Sequence, residues 1–382
     1  MSVQQRFVAA GAVAALLFAP EAFAAGKDPL EVGMAVALTG YLANYDGQFI
    51  EGAKLAAKHA NDAGGIAGHE VKLHVLDDAS NATTGVTVTN QLLNQFNASV
   101  MLNGLSSAQN AAVHPILAKA KVPMLVFSIL PPNPSWAFLA NVPQERAQAL
   151  NLQFANEKLH AKKLAIVYSQ TPYGQIGSKF LAETAQKLGI AVLVSEGIEP
   201  SATDMTPQMA KVKDAGVDAV IDILTGSTHI VEAKAAATVG LKVPIVMASD
   251  DVPTYQKTAA AYPECYFVTA PAQAYPNIPD PALKSAFETF YAEFKKSGLD
   301  AAKISGASFG WDAVKILSQA IESSGATSGD ALRDALEKVT VQGTNTVYKF
   351  SPTDHSGQND VKNELQIGKF QGDKIEIVFA SR

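Results

Sequence analysis

Three serines stand where a hydroxyl could do chemistry. Ser106 and Ser107 close the stretch Asn103-Gly104-Leu105-Ser106-Ser107, and Ser128 follows the apolar run Val122 to Phe127. None sits in a Gly-x-Ser-x-Gly elbow and none has an assignable base, so they read as ligand hydroxyls, not nucleophiles. The seven histidines show no His-x-x-x-His spacing, and the single cysteine, Cys265, has no partner, so no metal site is expected. His69 and His74 lie five apart on a strand pattern and read as surface residues on opposite sides. Tyr173-Gly174-Gln175-Ile176-Gly177 carries a glycine pair but lacks the tight first turn of a dinucleotide fingerprint. No cofactor is therefore expected. Asp77 and Asp78 lack a spaced set of oxygen ligands around them and read as a strand-end cap. Tyr45 and Tyr173 are different, since both lie in loops at strand carboxyl ends, where a tyrosine has fewer packing reasons to be.

The elements that would carry these loops alternate. Val32 to Leu38 is apolar and uncharged, as a strand buried on both faces should be, and Thr39-Gly40 breaks it. Phe49, Ala53, Ala56, Ala57 and Ala60 then recur at helical spacing, until Ala63-Gly64-Gly65 ends the helix. In an open α/β sheet the loop between such a strand and helix is where a small ligand sits, so Gly40 to Gly47 is a candidate site. Strands follow at 70–76, 100–102 and 122–127, separated by helices, and Pro115 is expected to kink the third helix. The theme restarts near Pro143, with strands at 163–168, 190–195, 217–224, 243–247 and 266–270, although no sequence repeat joins the halves. Three helical patterns without intervening strands come next, at 281–297, 305–322 and 330–338. Strands near 347–350, 364–370 and 374–379 close the chain. This alternation specifies parallel sheets with right-handed crossovers.

A chain of 382 residues, 48% of them hydrophobic, can bury large cores and suggests two domains. Its net charge of −6 and lack of a Lys/Arg cluster give no reason to expect nucleic acid or an anionic membrane as partner. At the amino terminus Arg6 precedes the apolar run Phe7 to Ala19, and Ala22-Phe23-Ala24 follows. That pattern reads as a secretory signal over residues 1–24, cleaved after Ala24, and places the mature protein in the periplasm. The apolar run falls short of the ~20 residues a spanning helix needs.

Taken in order, these stretches resemble a known family. The strand with Leu38-Thr39-Gly40 and Tyr45-Asp46-Gly47, the run Asn61 to Gly68, Asp77-Asp78-Ala79-Ser80, Leu105-Ser106-Ser107, Val122-Pro123, Tyr173-Gly174 and Gly310-Trp311-Asp312-Ala313-Val314 fall where it has them. The chain resembles the periplasmic substrate-binding proteins of ABC transporters, of the leucine/isoleucine/valine-binding type. The resemblance implies an α/β fold of two Rossmann-like lobes joined by a three-crossing hinge, the type I periplasmic binding protein. The expected N-terminal lobe is 27–143 plus 274–350 and the C-terminal lobe 144–273 plus 351–382. It further implies a non-enzymatic, monomeric receptor that closes on a small carboxylate and delivers it to an ABC transporter permease.

Carried across by position, Ser107 matches a serine that holds the ligand carboxylate, and Ser128 and Ile129 match residues whose backbone lines the ligand. Tyr173 matches a second-lobe tyrosine, Asp250 an ammonium-binding acid, and Tyr45 an aromatic wall. Thr225 or Gly226 falls where relatives carry another aromatic, and Leu130 where the amino-acid binders carry a threonine hydroxyl. Asp250 favours a branched-chain or other hydrophobic amino acid. Leu130, with the stretch Tyr348 to Gly357, favours the alternative of an aromatic or 2-oxo acid. An enzyme using the same cleft, or a sensory module on the same fold, are readings from other classes.

Overall fold

The computed structural model describes residues 27–278, 280–357, 365–372 and 374–380; the expected export signal lies outside them. The first sheet is built from β1 (Lys27–Val36), β2 (His69–Asp77), β3 (Val100–Asn103), β4 (Met124–Val126) and β5 (Ala137–Leu139), all parallel, in the order β2-β1-β3-β4-β5. Three helices connect its first four strands: α1 (Ala43–Asp62), α2 (Ala82–Gln95) and α3 (Ser107–Ala120), the last continuous through Pro115. Along β1 the pleat sends Val32, Met34 and Val36 to one apolar cluster and Ala35 to the other, so the strand is buried on both faces.

The second half repeats the plan. From α4 (Gln144–Glu157) the chain runs through β6 (Lys163–Ser169), α5 (Pro172–Lys187), β7 (Ala191–Ile198), α6 (Thr206–Asp214) and β8 (Ala219–Ile223). It continues through α7 (Thr228–Val239), β9 (Ile245–Met247), α8 (Val252–Ala261) and β10 (Cys265–Thr269). Helices α9 (Pro271–Ala274), α10 (Pro281–Ser297), α11 (Ile304–Ser324) and α12 (Gly329–Leu336) then precede the small antiparallel pair β11 (Thr340–Gln342) and β12 (Val347–Lys349). Finally β13 (Gln366–Gln371) and β14 (Lys374–Ala380) join β10 antiparallel, giving the order β14-β13-β10-β9-β8-β6-β7.

Both sheets thus carry the same five-strand parallel order, reversing at β1/β3 and at β6/β8. Helices α10 to α12 share the apolar core of the first sheet with β1 and α1, while Leu365, Ile367 and Phe379 return to the core of the second. Short strand β5 follows Pro131, Pro132 and Pro134, and helix α4 opens the second half; neither stood out as a periodic pattern. His74 also departs from its surface reading: it is half-buried, 2.5 Å from Glu31 Oε2 and stacked on Phe96. Trp311 packs between His59 and Phe290 in the first core, and Cys265 is a buried free thiol.

Helices α1 and α11 touch backbone to backbone. A Cβ at Gly310 would lie 1.9 Å from the Phe49 carbonyl oxygen, and one at Gly52 would lie 1.8 Å from that of Ala307. Gly310→Ala must therefore push apart two helices that both pack on the first sheet, and a loss of about 2 kcal/mol is expected. Thermal unfolding checks this: the midpoint should drop by several degrees, and an unchanged midpoint would show that the helices have room to spare.

Candidate ligand-binding site

The two reversal points face each other, and the loops at their strand ends meet. Helix α3 begins at Ser107, capped by Ser106, whose Oγ accepts from the Gln109 amide at 3.3 Å. Helix α5 begins at Pro172, capped by Thr171, whose Oγ1 accepts from the Gly174 amide at 3.4 Å. Their amino-terminal ends come together where the Tyr173 amide donates to Ser107 Oγ across the cleft at 3.2 Å. Two helix amino termini converging on one point favour an anion there.

Between the halves is a cavity of about 60 Å³ lined by Tyr45, Leu105, Ser128, Asn141, Val142, Gln144, Ala147, Tyr173, Thr225, Ser249, Ala270, Phe309 and Leu365. It is far smaller than the ~300–1,000 Å³ of ordinary ligand pockets, so admitting even a small acid requires the halves to part. The lining side chains are apolar, aromatic or neutral polar, without a formal charge among them. Tyr45 is stacked on Phe127 at 5.4 Å with its phenol 3.3 Å from Ser305 Oγ. Burial raises the phenol pKa of both Tyr45 and Tyr173, so both stay neutral donors.

Of the residues expected from sequence, Tyr45, Ser128, Tyr173 and Thr225 line this cavity, and Ser107 sits at its edge bonded to Tyr173. Ile129 is buried without lining it, and Leu130 packs against the outer core of the first sheet. A hydrophobic residue at 130 is thus explained by packing. Gly226 has φ +62°, and a Cβ there would lie 2.6 Å from the Tyr41 carbonyl oxygen, so an aromatic wall at that position would collide with the first lobe in this closed arrangement.

Asp250 is neither at the cleft rim nor unpartnered. It is 2% exposed; its Oδ2 accepts from the Gly226 amide at 2.6 Å and its Oδ1 from the Asp251 amide at 2.7 Å. His229 Nε2 lies 3.3 Å from Oδ2, an ionic contact too poorly angled for a hydrogen bond. An ammonium ligand is therefore not needed to account for this buried acid.

Two acids escaped sequence reasoning. Asp46, fully buried in the first turn of α1, accepts from the Ala37 amide at 2.9 Å and from the Leu105 amide at 2.8 Å. It ties the loops after β1 and β3 together at their reversal point, and an acid in a first helical turn was its only sequence signal. Asp251 caps α8 through the Thr254 amide at 2.6 Å and accepts across the cleft from Gln48 Nε2 at 2.8 Å and from Asn44 Nδ2. Burial, then the charge of Asp250, push its carboxyl up to about 6.

A family model described as periplasmic binding protein matches residues 29–363. The chain belongs to the periplasmic binding protein family. Among curated relatives, a Leu/Ile/Val-binding protein homolog of Brucella melitensis is 27% identical over 198 residues, covering 50% of this chain and 52% of the relative. The match thus spans about half the length of the curated relatives. Solved structures share the fold. A type 1 periplasmic binding protein from Bordetella pertussis has a TM-score of 0.79 at 23% identity, covering 92% of this chain and 100% of that one. A solute binding protein of an ABC transporter from Rhodopseudomonas palustris, in complex with p-hydroxybenzoic acid, has 0.79 at 19%, covering 93% and 98%. The substrate binding protein LivJ from Streptococcus pneumoniae, in complex with isoleucine, has 0.75 at 20%, covering 91% and 98%. Among the described residues of this periplasmic binding protein no helix is long and apolar enough to cross a membrane.

Proposed function

We propose that this chain is the periplasmic solute receptor of an ABC importer. It closes its lobes on a small carboxylate with an uncharged, apolar body, of the aromatic or 2-oxo acid class, and catalyses nothing. One observation carries the choice of class: the cavity wall is aromatic and uncharged, and Asp250 already has donors of its own. The hydroxyls of Ser107 and Ser128, with the amino terminus of α3, hold the carboxylate on the first lobe. Tyr45, Phe309 and Tyr173 enclose the body, and Tyr173 closes over it from the second. On binding, the ligand carboxylate comes between the two, accepting from the Ser107 hydroxyl and from the Tyr173 amide that otherwise meet each other across the cleft. Micromolar affinity asks for only ~8 kcal/mol, within reach of a few charged hydrogen bonds and one buried ring.

A second reading is a branched-chain or other hydrophobic amino acid. The names of the curated relatives favour it, and a carboxylate offers about four lone-pair sites, of which the two amide bonds to Asp250 use two. A thermal-shift panel of 4-hydroxybenzoate, phenylpyruvate, leucine and phenylalanine separates the two, because only a bound ligand raises the midpoint. Stabilisation by the first pair alone supports the aromatic or 2-oxo class; stabilisation by leucine alone overturns it. Ser107→Ala should weaken the bound ligand about tenfold and Tyr173→Ala somewhat more, with unfolding little changed. Unaltered affinity in both would remove the site assignment.

A further inference from the structure

Beneath the second lobe's share of the cavity runs a line of buried ionisable groups that the proposed contacts leave unexplained. Asp222, on β8, is fully buried; its Oδ1 accepts from the Ala248 amide at 2.8 Å and its Oδ2 meets Nδ1 of His229 at 2.9 Å. His229, in the first turn of α7, is also fully buried and turns Nε2 to Asp250. One turn on, Glu232 is buried beside Asp222, with a carboxylate oxygen of each within 4.8 Å of the other, and its Oε1 is without a partner. Asp251, Tyr255 of α8, Tyr173 of α5, Cys265 of β10 and Tyr45 of α1 are further titratable groups around this line.

A carboxylate on each side of one imidazole is tolerable in a dry interior only if the ring is cationic, with a proton on both nitrogens, because two buried negative charges need a positive one between them. Burial draws the His229 pKa down, but Asp222 and Asp250 outweigh it and hold it well above its ordinary value. Burial, then the charge of Asp222, hold Glu232 well above its ordinary value, so it stands beside Asp222 as a neutral acid. The line therefore ends on Asp250, whose carboxylate grips the amide of Gly226 in the binding loop.

We propose that His229 is the positioning residue of the second lobe's binding loop. Clamped between Asp222 on the sheet and Asp250 in the loop, it fixes the carboxylate that holds Gly226, and so sets where Thr225 and Ser249 stand in the cavity. That last clause rests on the proposed function. Asp222, His229 and Glu232 also bring one ligand atom each within 4.8 Å of one another, as a metal site would. Both ring nitrogens already face carboxylates, however, so an ion-paired line suits the geometry better.

The ligand-free protein supplies the test. Long-range nitrogen–proton spectra should show both ring nitrogens of His229 protonated from pH 6 to 8, and a neutral ring would overturn the proposal. One zinc per chain, retained on purification and lost in Asp222→Asn, would overturn it in favour of a metal. In His229→Gln the Gly226 amide should exchange with solvent at least tenfold faster while Ile221 of β8 is unaffected. Unchanged exchange at Gly226 in the folded variant overturns the proposal, and Asp222→Asn replaces it if His229→Gln does not fold. None of these readouts needs a ligand, so a panel without a hit would sink the proposed function alone. With any acid that the panel identifies, His229→Gln should weaken binding at least tenfold.

Discussion

Asp46→Ala is expected to cost about 4 kcal/mol of stability and to abolish ligand binding. The substitution strands the amides of Ala37 and Leu105, both facing a buried space, and each orphaned donor costs ~1–3 kcal/mol. The adjoining residue, Gly104, has no side chain to put in the gap: the carboxylate lies 2.3 Å from where its Cβ would stand. The two loops lead into the cavity floor and the start of α3, so the site loses its shape along with the fold. Asp46→Asn keeps one acceptor and should cost less. Denaturant unfolding checks both, and a loss below 1 kcal/mol in the alanine variant would mean that these amides find other partners.

The same carboxyl sets a pH dependence. Burial pushes Asp46 up to about 7 despite its two amide bonds, so between pH 4 and pH 7 the folded chain holds a proton that the unfolded chain releases. Stability is therefore greatest at the acid end of that window and falls as pH rises through it, by at most on the order of 4 kcal/mol for this group. Asp78, Asp251 and Asp312, each pushed up to about 6 chiefly by burial, act with the same sign. Exposed Asp204 and Asp330, held low by Thr206 and Lys121, oppose them but are screened by solvent. Unfolding free energy should be higher at pH 5 than at pH 8, with a flatter profile in Asp46→Asn.

What could be read from sequence was whatever repeats locally. Strand, loop and helix alternate with clear periods, and a tyrosine or serine at a strand end is visible without knowing its neighbours; Tyr45, Ser128, Tyr173 and Thr225 all stand at the cavity. Strand β5 was not legible because three residues after a proline-rich turn carry no period. The tie from Asp46 to Leu105 spans 59 positions, and that from Asp222 to His229 and Asp250 joins a strand, a helix and a loop. Such buried polar contacts are set by which loops the sheet order brings together, and composition does not encode that. Leu130 shows the converse case: resemblance matches it to a hydroxyl position, and in the fold it packs on the outer core.

Asp251→Ser should open the cleft and weaken ligand binding tenfold to a hundredfold. Serine caps a helix about as well as aspartate, so α8 keeps its first turn. It is too short to reach α1, so the bonds from Gln48 and Asn44 across the cleft are broken. Gln48 is meanwhile held in place by the Gly306 amide, which donates to its Oε1 at 3.2 Å, so it does not follow the retreating partner. A hydrogen bond to a charged group is worth ~1.5–3 kcal/mol, and removing it from the closed state alone shifts the balance of open and closed forms by that amount. Solution scattering should show a larger radius of gyration in the ligand-free variant, and calorimetry a weaker Kd with an unchanged number of sites. If radius and affinity both stay where they are, Asp251 is a helix cap and closure is held by the Ser107 to Tyr173 hydrogen bond and the apolar walls.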